Sequence, residues 1–553
     1  MRSRPIVSLL AASSAYALPE LSLSKRDRHN NGATTHYARS VGLNKRADTV
    51  SSNIFDVESW SFGGAYYTNV SVGTPPQLQT VILDTGSSDL YFDSSSAETC
   101  QTSGPESCQG GTFDKTKSDT YNEFEASPAF NTSFGDGSTA VGPYGQDMIG
   151  IGDVVVSPVQ FGLAEEVDTS TGYSIGLLGL GYSTNEAVSG TTDFYENLPE
   201  VLARSGEINS RLYSIYLNDA DANTGTILFG GIDKTKYKGD LTTLNLIPAA
   251  FGDGQSTAIV NQFITTVTGA SATVNGRKKE LWSGGRDGVS AYSSNNALPV
   301  LLDTGSTAWS IPSSIFNNLI LPQFPYVDRQ GLCPCSHASS SDSLTLEFGG
   351  KVSIDIPARQ FIVPVINSTT REPVPYSRSE DACAFLLVPT DPSSDGSLYE
   401  PIGDAILRSM YVVFDLDNGQ VSIAQANVNS TDAPDIVTVA AGPTGVAEAV
   451  SGVSTAPPNT WSIAPEVPGA TSAFSVVTAA TPLGTATGVG AVPASAQVEG
   501  EEEGGSSTSS GGKGGKSKGA AAGRVSMGSM ELNVLCGLAI WLVAFGCGVG
   551  LIV

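Results

Sequence analysis

The 553-residue chain predicts a mainly β, two-lobed fold with a pseudo-twofold axis and a central cleft, and three observations carry that expectation. The middle of the chain is a series of short apolar strands separated by Gly, Asn, Asp and Ser turns, as in Tyr66 to Leu83, Thr226 to Phe229 and Tyr411 to Ala424. One phrase occurs twice: Val81-Ile82-Leu83-Asp84-Thr85-Gly86-Ser87-Ser88 and Val300-Leu301-Leu302-Asp303-Thr304-Gly305-Ser306-Thr307. Each copy is followed by an apolar pair and a glycine, Leu177-Leu178-Gly179 ending 95 residues past Asp84 and Pro401-Ile402-Gly403 ending 100 past Asp303. Matched units at matched spacing mark a duplicated lobe, and a pseudo-twofold axis brings the two aspartates together.

The motif itself has a physical reading. An apolar run ending in Asp-Thr-Gly-Ser sets a carboxylate at the end of a buried strand, on a tight turn whose glycine leaves backbone N–H groups open to bond it. One such turn is ordinary strand punctuation. Two matched copies are not.

Around this core the composition divides the chain. Arg2 and Arg4 precede an apolar stretch from Pro5 to Ala12, and Ala15-Tyr16-Ala17 has the form of a cleavage site, so residues 1–17 read as a secretory signal. Residues 18–46 are polar and basic, carry the pairs Lys25-Arg26 and Lys45-Arg46, and read as a propeptide ending before Ala47. Residues 1–46 hold two of the 55 acids and eight of the 29 bases, which leaves 53 acids against 21 bases and a net charge of −32. So acidic a body makes nucleic acid an unsuitable partner. It also lets a basic propeptide act as an ionic latch that weakens on acidification. The two lobes are expected at 47–240 and 241–430, with Phe251 to Gly288 as connecting material that offers no further reading.

From residue 431 to 531 the chain turns to Ser, Thr, Gly, Ala, Pro and Val, too little apolar surface to fold, and an extended stalk is expected. Residues 532–553 are apolar almost throughout. Behind small residues and a polar spacer, such a tail reads as a GPI-attachment signal, with Gly519 the attachment candidate. Two of the seven cysteines, Cys536 and Cys547, fall in this tail. An oxidising, extracellular setting fits the remaining cysteines. The sequons at Asn69, Asn131, Asn367 and Asn429 are candidate glycosylation sites.

The core, from about Tyr66 to Ala426, resembles the pepsin-like aspartic proteases, and the surface-anchored form resembles the fungal GPI-anchored yapsin type. Gly73-Thr74-Pro75-Pro76-Gln77, Phe134-Gly135-Asp136-Gly137-Ser138, Leu228-Phe229-Gly230-Gly231-Ile232-Asp233 and Ile402-Gly403-Asp404-Ala405-Ile406-Leu407-Arg408 join the two Asp-Thr-Gly-Ser phrases in carrying the resemblance. It implies that Asp84 and Asp303 are a catalytic pair. Gly86 and Gly305 would offer N–H groups to them, Ser87 and Ser306 would bond their outer oxygens, and Thr85 and Thr304 would cross-link the loops beneath. It also implies a Cys100–Cys108 disulfide. Cys383 has two candidate partners, Cys333 and Cys335, of which Cys335 is preferred.

The family pattern breaks at the flap, the hairpin that covers substrate. Phe134 stands where relatives have a tyrosine, and Tyr91 where they have the tryptophan that this tyrosine bonds, so that anchoring bond is expected to be lost or rerouted. Phe134, Gly135, Asp136, Gly137 and Tyr91 remain the expected substrate-covering set, and Asp136 would favour basic or large apolar side chains near the scissile bond. Ile175, where an acid is usual, has no functional reading.

Rival chemistries find few residues. Of three histidines, His29 and His36 lie in the propeptide, which leaves His337 in a Ser-rich loop, too little for a Ser-His-Asp triad or a His-based zinc site. Asp219-Ala220-Asp221-Ala222-Asn223 begins like a calcium loop, but Thr224 and Gly230 stand where that loop needs Gly and Glu. Gly515-Lys516-Ser517 resembles a phosphate loop, but Ser510 replaces the first glycine. The expected function is endopeptidase action at acid pH on protein or peptide substrates, by a monomer without cofactor or metal, held at the plasma membrane or wall. The alternative is a catalytically weak or inactive surface protein that uses the fold for adhesion.

Overall fold

The computed structural model describes residues 48–59, 63–102, 108–124, 129–135, 137–169, 174–188, 194–222, 224–248, 259–283, 297–367, 370, 372–390, 399–456, 461–463 and 476–478. They belong to the second of the two units into which the chain divides, Ala47–Val553. The signal, the propeptide, Asp136, Gly519 and the apolar tail lie outside them.

The fold is mainly β and bilobal, as the sequence predicts, and the duplication is visible in strand pairing. Strand Gln77–Asp84 runs antiparallel to Gly63–Val72 and parallel to Gly176–Gly179, with Leu178 opposite Leu83 and Gly179 opposite Asp84. In the second lobe, Leu298–Leu302 runs antiparallel to Ile264–Val274 and parallel to Glu400–Ile402, with Ile402 opposite Leu302. The two apolar pairs followed by glycine therefore lie alongside the two motif strands. Both motif strands end buried, with Val81, Leu83, Val300, Leu301 and Leu302 fully enclosed, because each is sandwiched in a sheet covered on both faces.

The lobes share a sheet instead of meeting at a linker. Strand Met410–Asp415 pairs with Leu212–Tyr216, and Gln420–Ala426 pairs with Tyr237–Asn245, so a C-terminal hairpin returns into the sheet that begins in the first lobe. Aromatic packing closes the joint: Tyr213 stacks on Phe414 at 5.0 Å, and Phe263 meets Phe414 edge-on at 4.7 Å.

Within the stretch Phe251 to Gly288, expected only to connect, Ile264–Val274 is a central strand of the second lobe and forms a hairpin with Arg277–Trp282. Its turn is Asn275-Gly276, both at positive φ (50° and 71°), the conformation that a two-residue hairpin turn demands of such residues.

The segment expected to start the stalk also differs. Ile436–Thr438 pairs with Gly231–Asp233, Gly445–Ala449 is a helical turn, and Ser454–Thr455 lies parallel to Thr242 and Thr243. Val439, Val446 and Val450 are buried against Leu212, Tyr216, Ile232, Leu241, Tyr411, Val413, Ala424 and Ala426. A few spaced valines thus supply the apolar surface that averaged composition conceals. Any stalk begins after residue 456, and beyond it the described strands Trp461–Ile463 and Val476–Thr478 pair antiparallel.

Cys100 bonds Cys108 and Cys335 bonds Cys383, in agreement with the preferred pairing. Cys333, directly opposite Cys383 in the ladder, stays a buried thiol, pushed up to about 12 by burial and then by Asp328. Asn69, Asn131, Asn367 and Asn429 are all exposed, and Asn429 already donates to Asp219 at 3.1 Å. Among the described residues no helix is long and apolar enough to cross a membrane.

Candidate active site

The two Asp-Thr-Gly-Ser turns face each other where the lobes meet. Gly86 N–H donates to Asp84 Oδ1 at 2.7 Å and Ser87 Oγ to Asp84 Oδ2 at 2.5 Å. The second lobe repeats this: Gly305 N–H donates to Asp303 Oδ1 at 2.9 Å and Ser306 Oγ to Asp303 Oδ2 at 2.8 Å. Any side chain at Gly86 would strike the Asp303 carboxyl, and any at Gly305 the Asp84 carboxyl, so both positions require glycine for close approach.

The threonines lock the turns reciprocally. Thr85 N–H donates to Thr304 Oγ1 (3.1 Å) and Thr304 N–H to Thr85 Oγ1 (3.0 Å), while each hydroxyl donates to the carbonyl before the opposite aspartate, Leu302 and Leu83, at 2.8 Å. Four buried bonds across the axis fix the spacing of the carboxyls. Asp84 and Asp303 face each other across this lock, each carboxyl lying against the opposite turn's glycine, and Asp303 is held well above the usual carboxylate range, first by burial and then by the charge of Asp84.

The backbone around each turn is also duplicated. Gly179 N–H donates to the Asp89 carbonyl at 2.9 Å and Gly181 N–H to that of Ser87 at 2.8 Å; in the second lobe Gly403 N–H donates to Ala308 at 3.0 Å and Asp404 N–H to Ser306 at 2.9 Å.

Against the Tyr91 ring lies the hairpin Phe130–Ser133 and Thr139–Gly142, in register from Phe130 opposite Gly142 to Ser133 opposite Thr139. Its tip is closed by Phe134 N–H to the Ser138 carbonyl (2.8 Å) and Gly137 N–H to the Phe134 carbonyl (2.9 Å). Phe134 is half-buried, 6.1 Å from the Tyr91 ring. The Tyr91 hydroxyl donates to the Ile175 carbonyl at 3.3 Å, which gives that position a partner through its backbone.

An eukaryotic aspartyl protease family model matches residues 65–426, about two thirds of the chain. The chain belongs to the eukaryotic aspartyl protease family. It is 32% identical over 446 residues to "Probable aspartic-type endopeptidase opsB" of Aspergillus oryzae, covering 78% of this chain and 83% of that one. It is 34% identical to "Acid protease" of Saccharomycopsis fibuligera (65% and 80% covered) and 32% identical to "Aspartic proteinase yapsin-3" of Saccharomyces cerevisiae (65% and 66% covered). This aspartyl protease is accordingly an aspartic-type endopeptidase.

Other expectations resolve in the same structure. His337 stacks flat on the Tyr326 ring at 3.5 Å, a packing role. The calcium-like turn is tied up by protein donors: Asp219 accepts from Arg359 Nε at 3.0 and 3.2 Å and from Gln360 Nε2 at 3.0 Å.

Sequence reasoning gave no role to a buried group beside the first turn of the protease. The Asp89 carboxylate accepts from Tyr195 Oη at 2.6 Å, from Ala187 N–H at 2.7 Å and from Tyr144 Oη at 3.3 Å. Burial raises its pKa while these three donors oppose the rise. Glu186 next to it accepts from Tyr195 N–H at 3.0 Å and is held well above its usual range by burial first, then by Asp89. An acid within the apolar phrase Asp89-Leu90-Tyr91-Phe92 was the available signal.

Proposed function

We propose that Asp84 and Asp303 form the catalytic dyad of this endopeptidase and hydrolyse peptide bonds at acid pH through one shared proton. The observation that carries the reading is that the two carboxyls face each other, each against the opposite turn's glycine, with their spacing fixed by the reciprocal Thr85–Thr304 bonds. The ionised carboxylate takes a proton from water as its oxygen attacks the scissile carbonyl carbon, and the protonated carboxyl gives its proton to the carbonyl oxygen. The resulting gem-diol collapses: a proton passes to the amide nitrogen, the C–N bond breaks, and an acid and an amine leave. No covalent enzyme intermediate is formed.

Asp303, the member raised by burial and by its neighbour's charge, is suited to hold the proton in the resting pair. The glycine N–H and serine hydroxyl donors keep each carboxyl in place while the proton moves. Phe134 covers the bound peptide by ring area, since it has no hydroxyl to offer. Asp84→Asn and Asp303→Asn should each lower kcat/KM on a mixed peptide library at pH 3 to 5 by about a thousandfold or more, at the upper end of what general acid–base groups contribute. Pepstatin should inhibit the parent. Retained cleavage in either variant rejects the dyad.

The reading extends to the setting. Residues 1–17 and 532–553 support secretion followed by attachment at the cell surface through a GPI anchor near Gly519, with residues 18–46 as a removable basic propeptide. Phosphatidylinositol-specific phospholipase C should release the protease from intact cells. Protein that stays attached and is freed only by detergent contradicts the anchor.

A further inference from the structure

We propose that Asp89 is a positioning residue that braces the flap from its base through Tyr195 and Tyr144. The proposal rests on the dyad reading above, because it concerns what the flap covers.

The pseudo-twofold axis supplies a control within the molecule. Asp89 stands five residues after Asp84, as Ala308 stands five after Asp303, and both backbone carbonyls accept from the glycine of the apolar phrase in their own lobe, Gly179 and Gly403. The second lobe builds that loop with a methyl group. The carboxylate at Asp89 is therefore not required by the loop, and its three donors all come from elsewhere: Tyr144, Ala187 and Tyr195.

Those donors lead to the flap. Tyr144 opens the strand that leaves the flap's return arm, Tyr144–Ile151, and its ring meets Tyr195 edge-on at 5.5 Å and Phe130 edge-on at 5.5 Å. Phe130 begins the outgoing arm and lies 5.6 Å from Tyr91, which in turn lies 6.1 Å from Phe134 at the tip. An unbroken column of rings thus joins the buried carboxylate to the flap tip. The first-lobe position that would anchor the tip by a hydrogen bond holds Tyr91 instead, and its hydroxyl bonds Ile175. With Phe134 unable to donate, anchoring has moved from the tip of the hairpin to its base.

The test uses the full chain with Tyr195→Phe, Tyr144→Phe and Asp89→Asn, read by steady-state kinetics and by amide hydrogen exchange of the flap segment 129–142. Losing a buried hydrogen bond of this kind corresponds to roughly tenfold in an equilibrium. Tyr195→Phe should speed flap exchange about tenfold and raise KM by a similar factor with kcat changed less than about twofold, since the flap contacts substrate before and during the reaction. Tyr144→Phe, which removes the longer bond, should do less. Asp89→Asn, which keeps a carbonyl acceptor, should fall between the parent and Tyr195→Phe. Flap exchange at the parent rate in Tyr195→Phe overturns the proposal, as does a uniform rise across the first lobe, which would indicate loss of packing only. Tyr195→Phe removes only an oxygen and decides the matter if Asp89→Asn does not fold. The exchange readout needs no turnover, so failure of the dyad reading would appear separately in Asp84→Asn and Asp303→Asn.

Discussion

At the scale of the residue, function depends on which side chain stands opposite which across the axis. The Asp-Thr-Gly-Ser phrases were legible because every partner they need lies within three residues or in the matching phrase: Gly86 and Ser87 serve Asp84, and Thr85 meets Thr304. Asp89 was not legible for the opposite reason. Its donors Tyr144 and Tyr195 lie 55 and 106 residues away, and no local pattern announces them. Phe134 sits between these cases, since its departure from the family pattern was visible but its consequence was not. Phe134→Tyr restores a donor at the flap tip near Tyr91 and should raise kcat/KM about two- to fivefold, a fraction of one hydrogen bond. Steady-state kinetics with a single peptide substrate checks this; an unchanged value means that the tip needs no anchor here.

At the scale of the element, alternation and turn residues placed the strands of both motif units, while two segments escaped. Ile264–Val274 and Arg277–Trp282 flank an Asn-Gly turn, a hairpin signal on one side only, because the returning strand Arg277-Lys278-Lys279-Glu280-Leu281-Trp282 opens with four charged residues and shows no apolar alternation. The stretch 431–456 escaped because its valines are too sparse to register in a window dominated by small and polar residues. Three backbone ladders and bonds hold it: Val439 N–H to the Gly230 carbonyl (2.9 Å), Lys234 N–H to the Asp435 carbonyl (3.0 Å) and Ala456 N–H to the Thr243 carbonyl (2.8 Å). It is therefore a working part of the folded unit although it lies beyond the family match. Val439→Ala and Val446→Ala should each destabilise the protein by roughly 2 kcal/mol through lost burial and the cavity left behind. Chemical denaturation of the full chain reads this directly, and midpoints equal to the parent's would mean that the segment is not docked in solution.

At the scale of the whole molecule, acid is the stabilising condition. Burial pushes Asp93 and Asp415 up to about 6 from an ordinary value of 3.8, and it raises Asp303 and Glu186 as well. Below about pH 4 these groups are protonated folded or unfolded, and they contribute no pH dependence. Between 3.8 and about 6 the folded state keeps protons that the unfolded chain has released, so stability falls as pH rises, on the order of 1 kcal/mol per pH unit for each group. Repulsion within an acidic body acts in the same direction. Asp114, half-buried and lowered to about 2 by Lys117 and Thr116, works the other way, but only below about 4. The melting temperature should therefore peak near pH 4 and decline toward pH 7. Asp93→Asn should flatten that decline, and a melting temperature that climbs from pH 4 to 7 contradicts the assignment.

The docked segment ending at Ala456 has a mechanical consequence. Strand Ser454–Thr455 lies along Thr242 and Thr243, whose own strand pairs with the hairpin that returns from the second lobe. A pull on the chain beyond Ala456 would load this seam before either Asp-Thr-Gly-Ser turn. A cell could tug on such a protease without prising open its jaws.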